Sequence, residues 1–213
     1  GANIEAGQTV NNTATWNGAK LWENILEKVA ERAFPNSSIP KDDIKMYNPW
    51  NRSKMSMAKK QPDIVISGDQ FDIVIDAKYY DDLNSVMGGS SNYQMLGYAL
   101  SALVGKDGAK RVGPRTVAFA VPTRKPEGVD VVHANPRFKY KMQLPFTILA
   151  DEADVKPPLG KPPILQGLEI EFPDADVYTN EDNWDDYFER VSESFKVVVS
   201  NFIENLGEDS ENI

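Results

Sequence analysis

The sequence predicts an α/β fold, a central mixed β-sheet flanked by helices, and three observations predict it. Apolar residues recur at helical spacing in two long segments, one near each end of the chain. Short β-rich runs lie between them, bounded by Gly, Pro, Asn and Ser. The resulting order of helix, strands, helix, strand, strands and helix matches a mixed sheet covered by helices.

The elements follow in chain order. Asn17 to Phe34 is expected to be an amphipathic helix. Leu21, Trp22, Ile25, Leu26, Val29, Ala30 and Ala33 form one face, Glu23, Glu27 and Glu31 run along the other, and Pro35 stops it. Ile44 to Tyr47 reads as a short strand. Asp63 to Ser67 and Phe71 to Lys78 read as a hairpin closed by a two-residue Gly68-Asp69 loop, which suits a type II′ turn. Asn92 to Val104 reads as a second helix capped by Ser90 or Ser91. Thr116 to Val121 is expected to be a buried strand ending at Pro122, with further strands at Phe138 to Ala150 and Ile164 to Phe172. The prolines of 156–163 mark an irregular loop between the last two. Asn183 to Leu206 is expected to be a long helix whose stripe from Trp184 to Phe202 packs in the core. No repeat and no sharp boundary divides the chain. The expected organisation is a flexible tail over 1–15, one domain over 16–206 and an acidic disordered tail over 207–213.

Composition narrows the function classes. A chain of 213 residues with 41% hydrophobic and 26% charged residues reads as a folded globule with a real core. The absence of cysteine excludes disulfides, thiolate zinc sites and iron–sulfur clusters and suits a cytoplasmic setting. No run approaches the ~18 apolar residues of a membrane span, and Gly1 to Asn12 is too polar for a signal peptide or anchor. His133 is the sole histidine, which excludes histidine-based nucleases and multi-histidine metal sites; it reads as a surface or loop residue. A net charge of −9 argues against a stand-alone nucleic-acid binder. The charge is uneven, however. Lys45, Arg52, Lys54, Lys59 and Lys60 fall in a stretch with no acid, together with Trp50, and read either as a solvated loop or as contacts to a phosphate backbone beside Asp63. Arg137, Lys139 and Lys141 form a smaller basic stretch, and acids crowd the C-terminal end.

The hairpin carries the chemistry. Side chains alternate across a strand, so Asp72, Val74, Asp76 and Lys78 share one face while Phe71, Ile73, Ile75 and Ala77 form a core face. With a two-residue turn, Ser67 pairs with Gln70 and Asp63 lies opposite Val74, diagonal to Asp76 and roughly 7–8 Å from it at the backbone. Two such carboxylates repel unless a cation sits between them. Mg²⁺, which accepts oxygen ligands and keeps several waters, suits two carboxylates and a backbone carbonyl. An ammonium from Lys78 on the same face suits phosphodiester hydrolysis, positioning water or stabilising the transition state. Glu23 offers a further carboxylate from the first helix. Asp-x-Lys alone is a weak signal, since it recurs at Asp43/Lys45 and Asp154/Lys156. Only the hairpin pair puts both carboxylates on one face of consecutive strands.

Pro62-Asp63 followed by Asp76-Ala77-Lys78 resembles the signature of the PD-(D/E)XK nuclease superfamily. Gln94 and Tyr98, four apart on one helical face, resemble the QxxxY motif of one branch, and Leu21-Trp22-Glu23 resembles the signature of the first helix. These motifs span about Leu21 to Tyr98. Within the superfamily, Gln61 to Ile66, Ile75 to Tyr80 and Tyr93 to Tyr98 look most like the nuclease subunits of McrBC-type restriction systems. The resemblance implies a restriction-endonuclease-like core and Mg²⁺-dependent DNA cleavage, with Mn²⁺ able to substitute, in a restriction or defence system alongside an NTPase or DNA-recognition partner. It assigns metal binding to Asp63, Asp76 and the Ala77 carbonyl, accessory metal binding to Glu23, catalysis to Lys78, and orientation of the site or contact with the substrate strand to Gln94 and Tyr98. Glu27, one turn from Glu23, competes for the accessory role. Gly88-Gly89-Ser90-Ser91 lacks the lysine and spacing of a P-loop and reads as a loop over the cleft. Three rival readings remain: a nuclease acting on RNA, a non-catalytic assembly module that kept the fold, and an inhibitor whose acidic C-terminal helix mimics DNA.

Overall fold

The computed structural model describes residues 17–39, 45–47, 54–55, 61–67, 72–87, 90–100, 103–104, 110–111, 116–124, 130–141 and 163–208. The expected tail over 1–15, the Gly68-Asp69 turn, Gly88-Gly89, Trp50, Arg52, Lys59, Lys60, the strand residues 142–150, most of the proline-rich loop and 209–213 lie outside them.

Helix α1 (Gly18–Ala33) forms where the periodicity places it. The Asn17 side chain accepts the Lys20 N–H at 3.2 Å and caps its first turn. Trp22, Ile25, Leu26, Val29, Ala30 and Ala33 are buried, each large one contributing about 1.5–3 kcal/mol. Among the described residues ten strands follow in two sheets. The larger has the order β1 (Ser38–Ile39), β4 (Ile64–Ser67), β5 (Asp72–Ala77), β8 (Thr116–Thr123), β10 (Ile164–Glu171), β9 (Val132–Lys141). The neighbours β5, β8 and β10 run parallel, while β1, β4 and β9 pair antiparallel, so the sheet is mixed as expected. The smaller sheet orders β3 (Lys54–Met55), β2 (Lys45–Tyr47), β6 (Leu103–Val104) and β7 (Lys110–Arg111). It takes up Lys54 as a strand residue rather than part of a loop.

The larger sheet is covered on both faces. On one, α1 and the C-terminal α4 (Glu181–Glu208) bury Ile64, Ile66, Ile73, Ile75, Ala118, Ala120, Leu168 and Ile170. The aromatic stripe of α4 packs here, as its spacing predicts. On the other, α2 (Leu83–Val86) and α3 (Ser90–Leu100) cover Val65, Val74, Val117, Phe119 and Val121. A 3₁₀ turn, Ala175–Thr179, leads into α4.

Several boundaries differ from expectation for physical reasons. The hairpin register is Ser67↔Asp72 and Ile64↔Ile75, two residues away from the expected Ser67–Gln70 pairing, so Gly68-Asp69 alone does not close the hairpin. The face bearing Asp72 and Asp76 is buried, because α2 and α3 lie on it. Helix α3 begins at Ser90, which puts Ser90 and Ser91 inside its first turn rather than at the cap, and it ends at Leu100. Leu103 and Val104, expected in that helix, pair instead with Met46 and Lys45. The C-terminal helix runs to Glu208, so residues 207 and 208 belong to it and not to a tail. Strand β9 begins at Val132 and carries His133 opposite Glu169, not in a loop. Strand β8 continues through Pro122. Ala120 turns its carbonyl toward Lys78 of the β5 side, so Pro122, two residues on, directs its missing donor past the end of β5, where no ladder bond is lost. A register shift in β9 opposes Gly167, where an added Cβ would lie 2.5 Å from Leu83 Cδ1 and 2.7 Å from the Phe138 ring. Only glycine lets β10 pass beneath α2.

Candidate active site

The site lies at the carboxyl ends of the parallel strands β5 and β8, the end at which open α/β sheets commonly bind ligands. Ile75 pairs with Ile64, so Asp63, one residue before β4, faces Asp76 directly. The expected diagonal placement is thereby corrected, and the slip of two residues keeps both carboxylates on one face. The Ala77 N–H donates to Asp63 Oδ2 at 2.8 Å. Backbone N–H and C=O of an extended residue project from the same strand edge, so the Ala77 carbonyl lies on the Asp63 side as well.

Lys78 leaves the strand with its backbone N–H bonded to Ala120 O at 2.9 Å. The same carbonyl accepts the Trp22 indole N–H at 3.0 Å. This shared acceptor ties α1, β8 and the exit of β5 to one point. The Lys78 ammonium stands 2.5 Å from Asp76 Oδ2 and donates to Gln94 Oε1 at 3.0 Å. Gln94 Nε2 donates to Tyr98 Oη at 2.7 Å and to Asp76 Oδ1 at 3.4 Å, and Tyr98 Oη donates to the same carboxylate oxygen at 3.4 Å. One turn of α3 thus aims two polar side chains at β5, as the four-residue spacing requires.

Electrostatics single out Asp76. It is 1% exposed, and its Oδ2 faces the Lys78 ammonium. Burial pushes its carboxyl up to about 6; the Lys78 charge pulls it down, and the Asp63 charge pushes it up again. Tyr98 is held firmly protonated, chiefly by burial and then by the Asp76 charge. A carboxylate costly to ionise with a second carboxylate opposite it fits a divalent cation, with Asp63, Asp76 and the Ala77 carbonyl as the residues to hold it.

The remaining expected site residues are placed as follows. Glu23 lies on α1, one residue from Trp22, and forms an ion pair with Lys20 at 3.1 Å. Among the described residues no group of three or more acids or histidines stands ready to hold a metal, so Glu23 is not drawn in beside Asp63 and Asp76. Arg52, Lys59 and Lys60 lie outside the described residues. For Lys54 only the strand backbone is described.

Sequence reasoning missed the surroundings of Lys78. Tyr79, Tyr80 and Asp81 follow it, and with Arg124 and Phe172 they line an open pocket. Consecutive tyrosines directly after a strand are the one local signal for it. No family model matches the chain, and no curated protein is matched by its sequence. No helix among the described residues is long and apolar enough to cross a membrane.

Proposed function

We propose that the chain is a Mg²⁺-dependent endodeoxyribonuclease that hydrolyses DNA phosphodiester bonds. The observation that carries this reading is the meeting of Asp63, Asp76 and Lys78 at the carboxyl end of β5, with Gln94 and Tyr98 bonded to the same groups. A cation held by Asp63, Asp76 and the Ala77 carbonyl would supply an acidified water and neutralise phosphate charge. Lys78 would then exchange its ion pair with Asp76 for the phosphate oxygens or the attacking water, where an ammonium offsets developing negative charge. Gln94 accepts from Lys78 and donates toward Asp76, so it holds the ammonium in register with the carboxylate while the pair separates. Tyr98, kept protonated, acts as a donor and not as a base.

The order Glu23, Asp63, Asp76-x-Lys78, Gln94 and Tyr98 resembles the PD-(D/E)XK pattern, and the resemblance favours DNA as substrate. The net charge of −9 supports a division of labour in which an NTPase or DNA-recognition partner supplies affinity and target choice. The test is cleavage of supercoiled plasmid and of matched RNA with Mg²⁺ or Mn²⁺, comparing wild type with Asp76→Ala and Lys78→Ala. Metal-dependent nicking lost in both variants supports the proposal. Preference for RNA redirects the substrate, and identical behaviour of all three proteins sinks the hydrolytic reading.

One observation favours a second reading, a non-catalytic assembly module. The described residues bring two carboxylates together rather than three, and Lys78 already neutralises one of them. Such a module shows no Mg²⁺-dependent stabilisation, whereas the nuclease does.

A further inference from the structure

Just past Lys78 the chain leaves the sheet as Tyr79-Tyr80-Asp81. These residues, the end of β8 with Arg124, and Phe172 after β10 enclose an open pocket of about 510 Å³, within the roughly 300–1,000 Å³ typical of small-ligand sites. Its walls are unlike the rest of the surface. Tyr79 and Tyr80 are 50% and 45% exposed, although aromatic rings normally gain from burial. Tyr79 is nonetheless fixed. Its ring stands 5.9 Å from that of Phe172 at 59°, and Gly18 lies so close that an added Cβ would come within 2.8 Å of it. A rigid aromatic plane presented to solvent is what a planar ligand stacks on. Among the described residues Arg124 forms no salt bridge.

Resting on the nuclease reading, we infer that this pocket is a nucleotide subsite of the cleaved strand. It takes one unpaired base stacked on the tyrosines, with the adjoining phosphate at Arg124. The side chain of Lys78 goes to Asp76 while the next two residues line the pocket, so a base held here belongs to a nucleotide beside the scissile phosphate. Stacking on a tyrosine tolerates any base because every base has a π-face. Arg124 offers the planar fork that suits a phosphate. Asp81 lines the same pocket, and its negative charge repels phosphate from its own neighbourhood. The substrate class that follows is DNA with an unpaired nucleotide at the cleavage point, such as a single strand or a flap, in preference to intact duplex.

The experiment uses a single-stranded oligonucleotide carrying 2-aminopurine, titrated with the full chain in EDTA so that nothing is cut. Wild type should quench the probe as the base stacks. Tyr80→Ala should reduce quenching and weaken binding roughly five- to hundredfold, while Tyr80→Phe retains both. Arg124→Gln should weaken binding and reduce its dependence on log salt by about one. Thermal melts check that each variant is folded. Wild-type quenching that is absent, or unchanged in folded Tyr80→Ala and Arg124→Gln, overturns the subsite. Mg²⁺-dependent cleavage by wild type and Asp76→Ala is assayed separately on an unlabelled strand. Reduced quenching in Tyr80→Ala without any wild-type cleavage keeps the pocket and discards the nuclease. Cleavage that requires Asp76, with full quenching in both pocket variants, does the reverse.

Discussion

Replacing Asp76 by Asn should make the metal-free protein more stable while removing its activity. Asp76 is 1% exposed and titrates near 6 in the fold, against 3.8 ordinarily. The folded state therefore binds its proton more tightly than the unfolded chain does. Between about pH 4 and pH 6 unfolding releases that proton, so the contribution of this group to stability falls as pH rises and stays low above pH 6. At about 1.4 kcal/mol per pH unit, keeping Asp76 ionised at neutral pH costs the fold about 3 kcal/mol. Asn has the same shape and no charge, and Lys78 keeps its bond to Gln94 Oε1. Urea unfolding in EDTA should thus give Asp76→Asn a midpoint above wild type at pH 7, by up to about 3 kcal/mol. The difference should shrink toward pH 4. Saturating Mg²⁺ should close the gap by stabilising wild type alone, since a ligand bound only by the native state adds RT ln(1 + [L]/Kd). An Asp76→Asn protein that is equally or less stable than wild type in EDTA at pH 7 would refute the claim that the carboxylate is held at a cost for a cation.

Further predictions test the frame and the chemistry. Lys78→Ala should reduce the cleavage rate about 10²–10³-fold, the scale of losing one transition-state donor; a wild-type rate shows that Lys78 is only a counter-ion. Gly167→Ala should lower stability by about 1–3 kcal/mol in denaturant titration, because the new methyl meets Leu83 and Phe138; an unchanged midpoint shows that α2 yields at little cost. Trp22→Phe removes the indole donor to Ala120 O. It should cost about 1–3 kcal/mol and depress cleavage more than that loss alone explains, because the same carbonyl anchors Lys78; full activity in the folded variant separates the anchor from the catalyst.

Much of the fold was legible because one physical signal dominates it. Helices α1 and α4 each bury a single face against the sheet, so period 3.6 survives in their sequences and their ends fall within about two residues of expectation. The inner strands are covered on both faces and read as short apolar runs. The smaller sheet was mostly missed because its strands are two or three residues long, too short for any alternation to register. Leu103 and Val104 continue the apolar pattern of α3, and only a partner strand far away in sequence, β2, assigns them elsewhere. Helix α2 depends on Asp82, whose side chain accepts the Ser85 N–H at 2.8 Å, a cap easily mistaken for a polar loop.

The candidate site survived a wrong turn because of the period of a strand. Expecting Ser67 opposite Gln70, where it stands opposite Asp72, displaced the register by two, and a displacement of two leaves every side chain on its own face. Asp63, Asp76 and Lys78 were therefore brought together for a sound reason at the wrong spacing. Had the loop differed by one residue, Asp63 would have faced α1 and no metal pair could form. Inserting a single Gly between residues 68 and 71 tests the argument. If the slip is taken up along the β4–β5 ladder, Asp63 changes face, and Mg²⁺ binding and cleavage vanish together; if the loop absorbs it, both persist. Partial loss of one without the other would show that the two carboxylates do not share a cation.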